Sequence, residues 1–283
     1  MVDAKTGHVL AERDSRQKRQ VASLTKVATA MVVLDWAEKH SGDLGQLATI
    51  PPEALASGGE NNVGFQPGDT ITLRDLLYAA LVQSDNIAAY ALAAHVGQAI
   101  QSIVPGAGTP VATFVTQMNA LAANLKMLRT RFANPHGQDA DVKPLPYSTA
   151  ADMARLTRYA ISKASFRFYV SQKERQISFT RAGKRMDYML KNTNELLGTN
   201  GVDGVKTGRT ARAGDCLILS AQREAEIINQ GPTSTTVIPR NLIVVLLGST
   251  NRFPEGLQLL NGGWQLYDQW AAAGRPVDPK KDL

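Results

Sequence analysis

The apolar residues of this chain change period along its length. Residues 2–13 and 204–248 are strand-like. The stretch opening at Val21-Ala22-Ser23 repeats apolar residues at Leu24, Val27, Ala28, Met31, Val32 and Leu34, a helical period that runs to about Lys39. Helical periods return over 73–96, 111–128 and 149–162, and a last one covers 255–273. Residues 177–192 alternate around Ala182-Gly183 and predict a hairpin. Segments 51–68 and 137–146 are rich in Gly and Pro and read as loops, the first of them a rim for a cleft. The expected fold is α+β: an antiparallel β-sheet built from both chain ends and flanked by helices, with an inserted, mostly helical region. One domain over 1–283 is expected, with a helical subregion at about 41–195 and a sheet subregion at about 1–40 and 196–283. A ligand cleft is expected between the two.

Composition narrows the chemistry. A chain of 283 residues, 43% hydrophobic and 20% charged, can bury a large core. The net charge of +6 is spread out with no long cationic run, so nucleic-acid binding is not expected. Apolar runs such as 242–247 are too short to span a bilayer, so no transmembrane segment is expected. One cysteine, Cys216, excludes an intrachain disulfide and any Cys-x-x-Cys site, and its apolar setting reads as core. His8, His40, His95 and His136 are scattered, without metal-ligand spacing or a Gly-x-Ser-x-Gly elbow; His136, between Pro135 and Gly137, reads as structural. No phosphate loop is present, and no cofactor is expected.

Three short strings stand out: Ser23-Leu-Thr-Lys26, Ser84-Asp-Asn86 and Lys206-Thr-Gly208. Each pattern also occurs a second time, as Ser15-Arg-Gln-Lys18, Ser249-Thr-Asn251 and Lys5-Thr-Gly7, so a single match means little. Context separates the copies. Ser15 lies in a polar run, Lys5-Thr-Gly7 reads as a hairpin turn, and Ser249 as a strand end. By contrast, Ser23 opens a helical period, and Lys26, three residues on, shares its face. A serine hydroxyl needs a base, and a lysine can be that base only when its pKa falls toward about 7–8. Ser84-Asp-Asn86 is a polar triplet between two apolar stretches, where a break between helices would turn Ser84 and Asn86 toward a cleft and Asp85 away from it. Lys206-Thr-Gly208 precedes the apolar stretch 216–219, and a strand edge ending in Gly lets a substrate backbone pair with it.

In these strings the chain resembles the low-molecular-mass penicillin-binding proteins that are serine-type D-alanyl-D-alanine carboxypeptidases, which share a β-lactamase/transpeptidase-like fold. The likeness extends to Val21-Ala-Ser-Leu-Thr-Lys-Val-Ala-Thr-Ala30, Phe132-Ala-Asn-Pro-His-Gly137, Tyr147-Ser-Thr-Ala-Ala-Asp-Met153 and Val202-Asp-Gly-Val-Lys-Thr-Gly-Arg-Thr210, and so covers nearly the whole chain. The resemblance implies Ser23 as the acylated nucleophile, Lys26 as its base, Ser84 as the proton relay to the leaving amine and Lys206 as the cation that keeps Lys26 neutral. It implies Asn86 as the holder of the substrate amide, and Thr207 with Ser84 as donors to the terminal carboxylate. Gly208 would line the substrate strand, and the backbone N–H groups of Ser23 and Arg209 would form an oxyanion hole. Arg209 stands where many relatives have His. Arg240 is the nearest match to an arginine that relatives use for the substrate carboxylate, with its spacing to the following glycine one residue off.

The implied substrate is a peptidoglycan stem peptide ending in D-Ala-D-Ala, with β-lactams as acylating inhibitors. A class A-like β-lactamase is the alternative. That class needs a glutamate between the second and third strings, and none lies between Glu60 and Glu174; Asp139, Asp141 and Asp152 fall there without a matching pattern. A long-lived penicilloyl-enzyme is therefore expected. A catalytically silent binding protein of the same fold is a second alternative, against which stands the filling of every named position. The implied location is extracytoplasmic in a bacterium. Met1-Val-Asp-Ala-Lys-Thr-Gly7 has neither a basic nor an apolar segment, so no signal peptide is expected in this chain.

Overall fold

The structure is a computed structural model, and it describes residues 1–40, 42–57, 59–103, 108–140, 142–229, 235–276, 278 and 283. Two four-stranded antiparallel sheets organise the chain. The first joins both ends of the sequence: β1 (Val2–Asp3) pairs with β8 (Thr235–Ser249), β8 with β7 (Gly214–Asn229), and β7 with β6 (Val202–Thr210). Side chains alternate between two faces over 216–219 of β7 and 242–244 of β8, while register shifts interrupt the pairing at 215–217 and 223–226. Cys216 and Ile218 of β7 and Ile243 of β8 enter the main core, while Leu217, Leu219, Leu242 and Val244 face the terminal helix α8 (Arg252–Ala272). Trp264 and Tyr267 of α8 close that second core.

The main core surrounds α1 (Lys26–Lys39), which is buried on nearly every side from Lys26 to Leu34. A helix of this kind is central by necessity, since it has no polar face to give to water. Packed against it are α3 (Leu73–Val82), α4 (Asn86–Ile103), α5 (Pro110–Asn124), α6 (Ala150–Ser162) and α7 (Ala164–Val170). Their starts are fixed by local chemistry. Thr72, Thr109 and Thr149 accept from the backbone N–H three residues on, and Pro110 supplies a preset first residue for α5.

Several expectations change. Ser23 stands in a 3-10 turn (Ala22–Thr25) that precedes α1, not in the first turn of the α-helix itself. Within the stretch expected to be mostly helical lies a second sheet, β2 (Leu47–Thr49), β3 (Thr70–Thr72), β4 (Glu174–Arg181) and β5 (Lys184–Lys191), in that order. The β4–β5 hairpin turns at Ala182-Gly183 as expected, but β2 and β3 are three residues each, too short for alternation to declare itself. The expected loop 51–68 contains a short helix, α2 (Pro52–Ala56).

Where α4 meets α5, a Cβ added at Gly97 would lie 1.9 Å from the carbonyl oxygen of Pro110. Gly97→Ala is expected to lower unfolding stability by about 1–3 kcal/mol, read as the midpoint in a denaturant titration. An unchanged midpoint would show that the two helices are not in this contact.

Candidate active site

Two of the three strings meet at one amine, and the third, on β6, runs against the turn that carries Ser23. Lys26 is fully buried, and its Nζ donates to Ser23 Oγ at 2.9 Å, to Asn86 Oδ1 at 2.6 Å and to the backbone oxygen of His136 at 3.0 Å. These acceptors come from the 3-10 turn, the start of α4 and the 132–137 loop. Asn134 shapes that loop: its Oδ1 accepts from the N–H of Gly137 at 2.7 Å, and its Nδ2 donates to Gln138 O at 2.7 Å. Gly137, with φ of +91°, leaves no room for a side chain against the Ala22 carbonyl. His136 therefore contributes its carbonyl, while burial, with Lys26 adding to it, holds its imidazole down at about 3 and so neutral.

Burial pulls the Lys26 pKa from 10.5 down to about 7, against the opposing charges of Asp85 and Glu60. Lys206, which the resemblance implies as the cation that keeps Lys26 neutral, is electrostatically coupled to it. The repulsion between the amines is felt at Lys206, whose pKa is pushed well below its usual value first by burial and then by Lys26 and Arg252. The hydrogen-bond inventory then sets the direction of the remaining proton. Carbonyl oxygens only accept, so a neutral amine gives its two N–H groups to Asn86 and His136. Its lone pair is left facing the Ser23 hydroxyl.

The break between α3 and α4 is built by Asp85. Its Oδ1 accepts from Ala88 N at 2.8 Å as the cap of α4, and its Oδ2 accepts from Val63 N at 3.0 Å. Ser84, at φ +64°, adopts the left-handed conformation that reverses the chain there, and the Asn86 side chain reaches Lys26 Nζ. On β6, Lys206 is buried and donates to the Thr207 carbonyl at 3.0 Å, while the Thr207 hydroxyl is 2.6 Å from that of Thr193. Gly208 runs against the nucleophile turn, where a Cβ would lie 2.8 Å from the Ser23 nitrogen. Only glycine permits β6 to lie this close. Arg209 points outward, 77% exposed, 3.6 Å from Asp215.

Arg240 is not part of this cluster. Lys206 pairs with Ile218 and Ile218 with Val245, so Arg240 lies five residues along β8, roughly 17 Å away at ~3.3 Å per residue. Its guanidinium pairs with Asp268 of α8 at 2.5 Å. The arginine that does reach β6 is Arg252, whose Nη1 donates to the Gly208 carbonyl at 3.1 Å and lies 3.4 Å from Asp215. The signal for it was its position just past the end of β8, where that strand returns toward Gly208. Asp139 was also missed as a positioning group: buried, it accepts from the Thr210 hydroxyl at 2.7 Å and so ties the loop after His136 to β6. Asp141 lies outside the described residues, and Asp152, in the first turn of α6, donates its backbone N–H to the cap Thr149 and accepts at Oδ2 from Arg129 N. Cys216 is buried, its thiol pushed up to about 11 by burial. Among the described residues no cluster of His, Cys, Asp and Glu could hold a metal ion, and no helix is long and apolar enough to cross a membrane.

Residues 1–230 match the peptidase family S11, D-alanyl-D-alanine carboxypeptidase. The chain belongs to this family. It is 32% identical over 278 residues to D-alanyl-D-alanine carboxypeptidase DacC of Escherichia coli, covering 95% of this chain and 61% of that protein. It is 28% identical to DacF of Bacillus subtilis over 79% of this chain and 53% of the relative. The chain thus spans a little over half the length of these curated relatives. Among solved structures, the Streptomyces K15 DD-transpeptidase superposes with a TM-score of 0.75 at 28% identity, over 93% of this chain and 95% of the other. Penicillin binding protein 6B of Escherichia coli does so at 0.69 and 32%, over 93% and 75%. The fold class is that of these DD-peptidases.

The amine at the centre of the site sets a pH dependence. Below its pKa of about 7, Lys26 is protonated and has no lone pair for Ser23. Acylation by benzylpenicillin, followed by stopped-flow or intact mass, is expected to rise with pH through a midpoint near 7 and then level off. A flat rate across that range would assign the base to another group.

Proposed function

We propose that this chain is a serine D-alanyl-D-alanine carboxypeptidase that removes the terminal D-alanine of peptidoglycan stem peptides, acting outside the cytoplasmic membrane where that polymer lies. The observation that carries the reading is the buried amine of Lys26, with a pKa of about 7 and a lone pair left for Ser23. In the reaction, Ser23 Oγ attacks the carbonyl of the penultimate D-alanine and Lys26 takes its proton. The backbone N–H groups of Ser23 and Arg209 hold the oxyanion, where one such donor is worth about 3–4 kcal/mol of barrier. Ser84 passes the proton to the departing amine as the peptide C–N bond breaks and D-alanine leaves. Water then attacks the ester, Lys26 again takes the proton, and Ser23 is regenerated.

Asn86 holds the donor amide in this reading, and the substrate pairs with the edge of β6 at Thr207 and Gly208. The terminal carboxylate would meet the Thr207 hydroxyl, Lys206 and the Arg252 guanidinium. We read the whole chain as one catalytic domain, with the site between its helical part and its sheet. One relative, from Pseudomonas aeruginosa, is named a D-alanyl-D-alanine endopeptidase. β-Lactams would acylate Ser23 and stay, since none of the residues described places a glutamate over the ester.

Intact mass after benzylpenicillin tests the nucleophile. Wild type is expected to gain one penicilloyl group and Ser23→Ala none; an adduct on the variant would move the nucleophile elsewhere. For the carboxylate anchor, Arg252→Gln is expected to raise KM for a D-Ala-D-Ala peptide about tenfold or more, as loss of a charge-assisted hydrogen bond would. An effect of Arg240→Gln equal to that of Arg252→Gln would contradict the assignment.

A further inference from the structure

The rim of the cleft beside Asn86 carries a carboxylate that the mechanism does not use. Gly59 lies so close on the Asn86 amide that a Cβ there would be 1.9 Å from Nδ2, and the next residue, Glu60, accepts from the Asn86 backbone N–H at 3.0 Å. The following residues are pinned as well. Asn62 Nδ2 donates to Gln83 O at 3.1 Å, Tyr188 Oη donates to Asn62 O at 2.9 Å, and Val63 N is held by Asp85. The backbone of Glu60 is thus fixed to the Ser84–Asn86 turn while its side chain is exposed. Among the described residues its carboxylate is met only by a long, neutral contact from Asn62 Nδ2 at 3.4 Å. Its charge reaches into the cleft, since it raises the proton affinity of both Lys26 and Lys206.

We propose that Glu60 selects acyl donors that carry a free amine within a residue or two of the scissile pair, on the side held by Asn86. This rests on the carboxypeptidase reading above. A donor chain lying between β6 and the Ser84–Asn86 turn leaves the cleft past Asn86, and a cationic side chain there meets Glu60, whose charge complements it. The two arginines of the site, Arg209 and Arg252, would repel such a side chain. Peptides with the amine free would be processed in preference to those with it acylated, as it is in a cross-link.

The test is a ratio of kcat/KM for two peptides, Nα-acetyl-Lys-D-Ala-D-Ala with its ε-amine free and the same peptide acetylated on that amine. Any effect of Glu60 on Lys26 itself is common to both and cancels. Wild type is expected to favour the free amine about two- to fivefold, the range of an exposed ion pair, with the preference shrinking as salt is added. Glu60→Gln should bring the ratio to one, and Glu60→Lys should invert it. A wild-type ratio of one, or an unchanged ratio in Glu60→Gln, overturns the proposal while leaving the carboxypeptidase reading intact. If wild type turns over neither peptide, the same comparison is made on acylation rates with ampicillin, which has a protonated amine, and benzylpenicillin, which has none. Failure of wild type to be acylated by either would sink the enzymatic reading, and this inference with it.

Discussion

The site depends on keeping one amine dry. An ammonium buried without full compensation is unfavourable, and the chain resolves this by letting the Lys26 proton go near neutrality. Each unit by which its pKa falls corresponds to about 1.4 kcal/mol of disfavoured charge. The sign of the linkage follows. Between about 7 and 10.5 the unfolded chain keeps a proton on this lysine that the folded chain has lost, so this residue makes folding more favourable as pH rises through that window. Below about 7 the folded state must carry the buried charge as well, and the full penalty applies. The protein therefore sacrifices stability at the pH where it needs a base, and the surrounding core of α1, α3 and α4 has to supply the surplus.

Burial alone would give a low pKa but not a direction. The direction comes from two carbonyl acceptors contributed by distant parts of the chain, Asn86 at the start of α4 and His136 in a loop shaped by Asn134. Both have to be in register with Lys26 for the lone pair to face Ser23. The fold secures this by close backbone approaches: Gly137 against the Ala22 carbonyl, and Gly208 against the Ser23 nitrogen. A side chain at either position would push the nucleophile turn away from the loop or from β6.

The strings that carry Ser23, Lys26, Ser84, Asn86 and Lys206 were legible because each breaks an otherwise apolar run, and a polar group there requires a reason. The late strands were legible as the apolar stretches 216–219 and 242–247, but which residues face which core was not. Other features depend on contacts between distant segments, which one sequence does not encode locally. The short strand β3 is held by pairing with β4 of the hairpin, and β2 by pairing with β3. Arg252 and Arg240 sit at opposite ends of a strand-to-helix corner, and only the β7–β8 register decides which guanidinium reaches Gly208. The tie from Asp139 to Thr210 joins a loop to the end of β6, 71 residues away. The depth at which Lys26 is buried is of the same kind: the second lysine is visible in the sequence, the burial is not.

The two buried amines share more than proximity. Positive charge on Lys26 lowers the proton affinity of Lys206, so the pair resists holding two protons at once. A substrate carboxylate placed beside Thr207, as the proposed reaction requires, would add negative charge next to Lys206 and raise its affinity for a proton. The proton that Lys206 then holds works against protonation of Lys26. On this argument the arriving substrate helps to keep the base in its reactive form, and an empty site, with both amines dry and Glu60 at its rim, is the state in which that form is least secure. Coupling of this kind needs no movement of the backbone, only the low dielectric that α1 and β6 already provide.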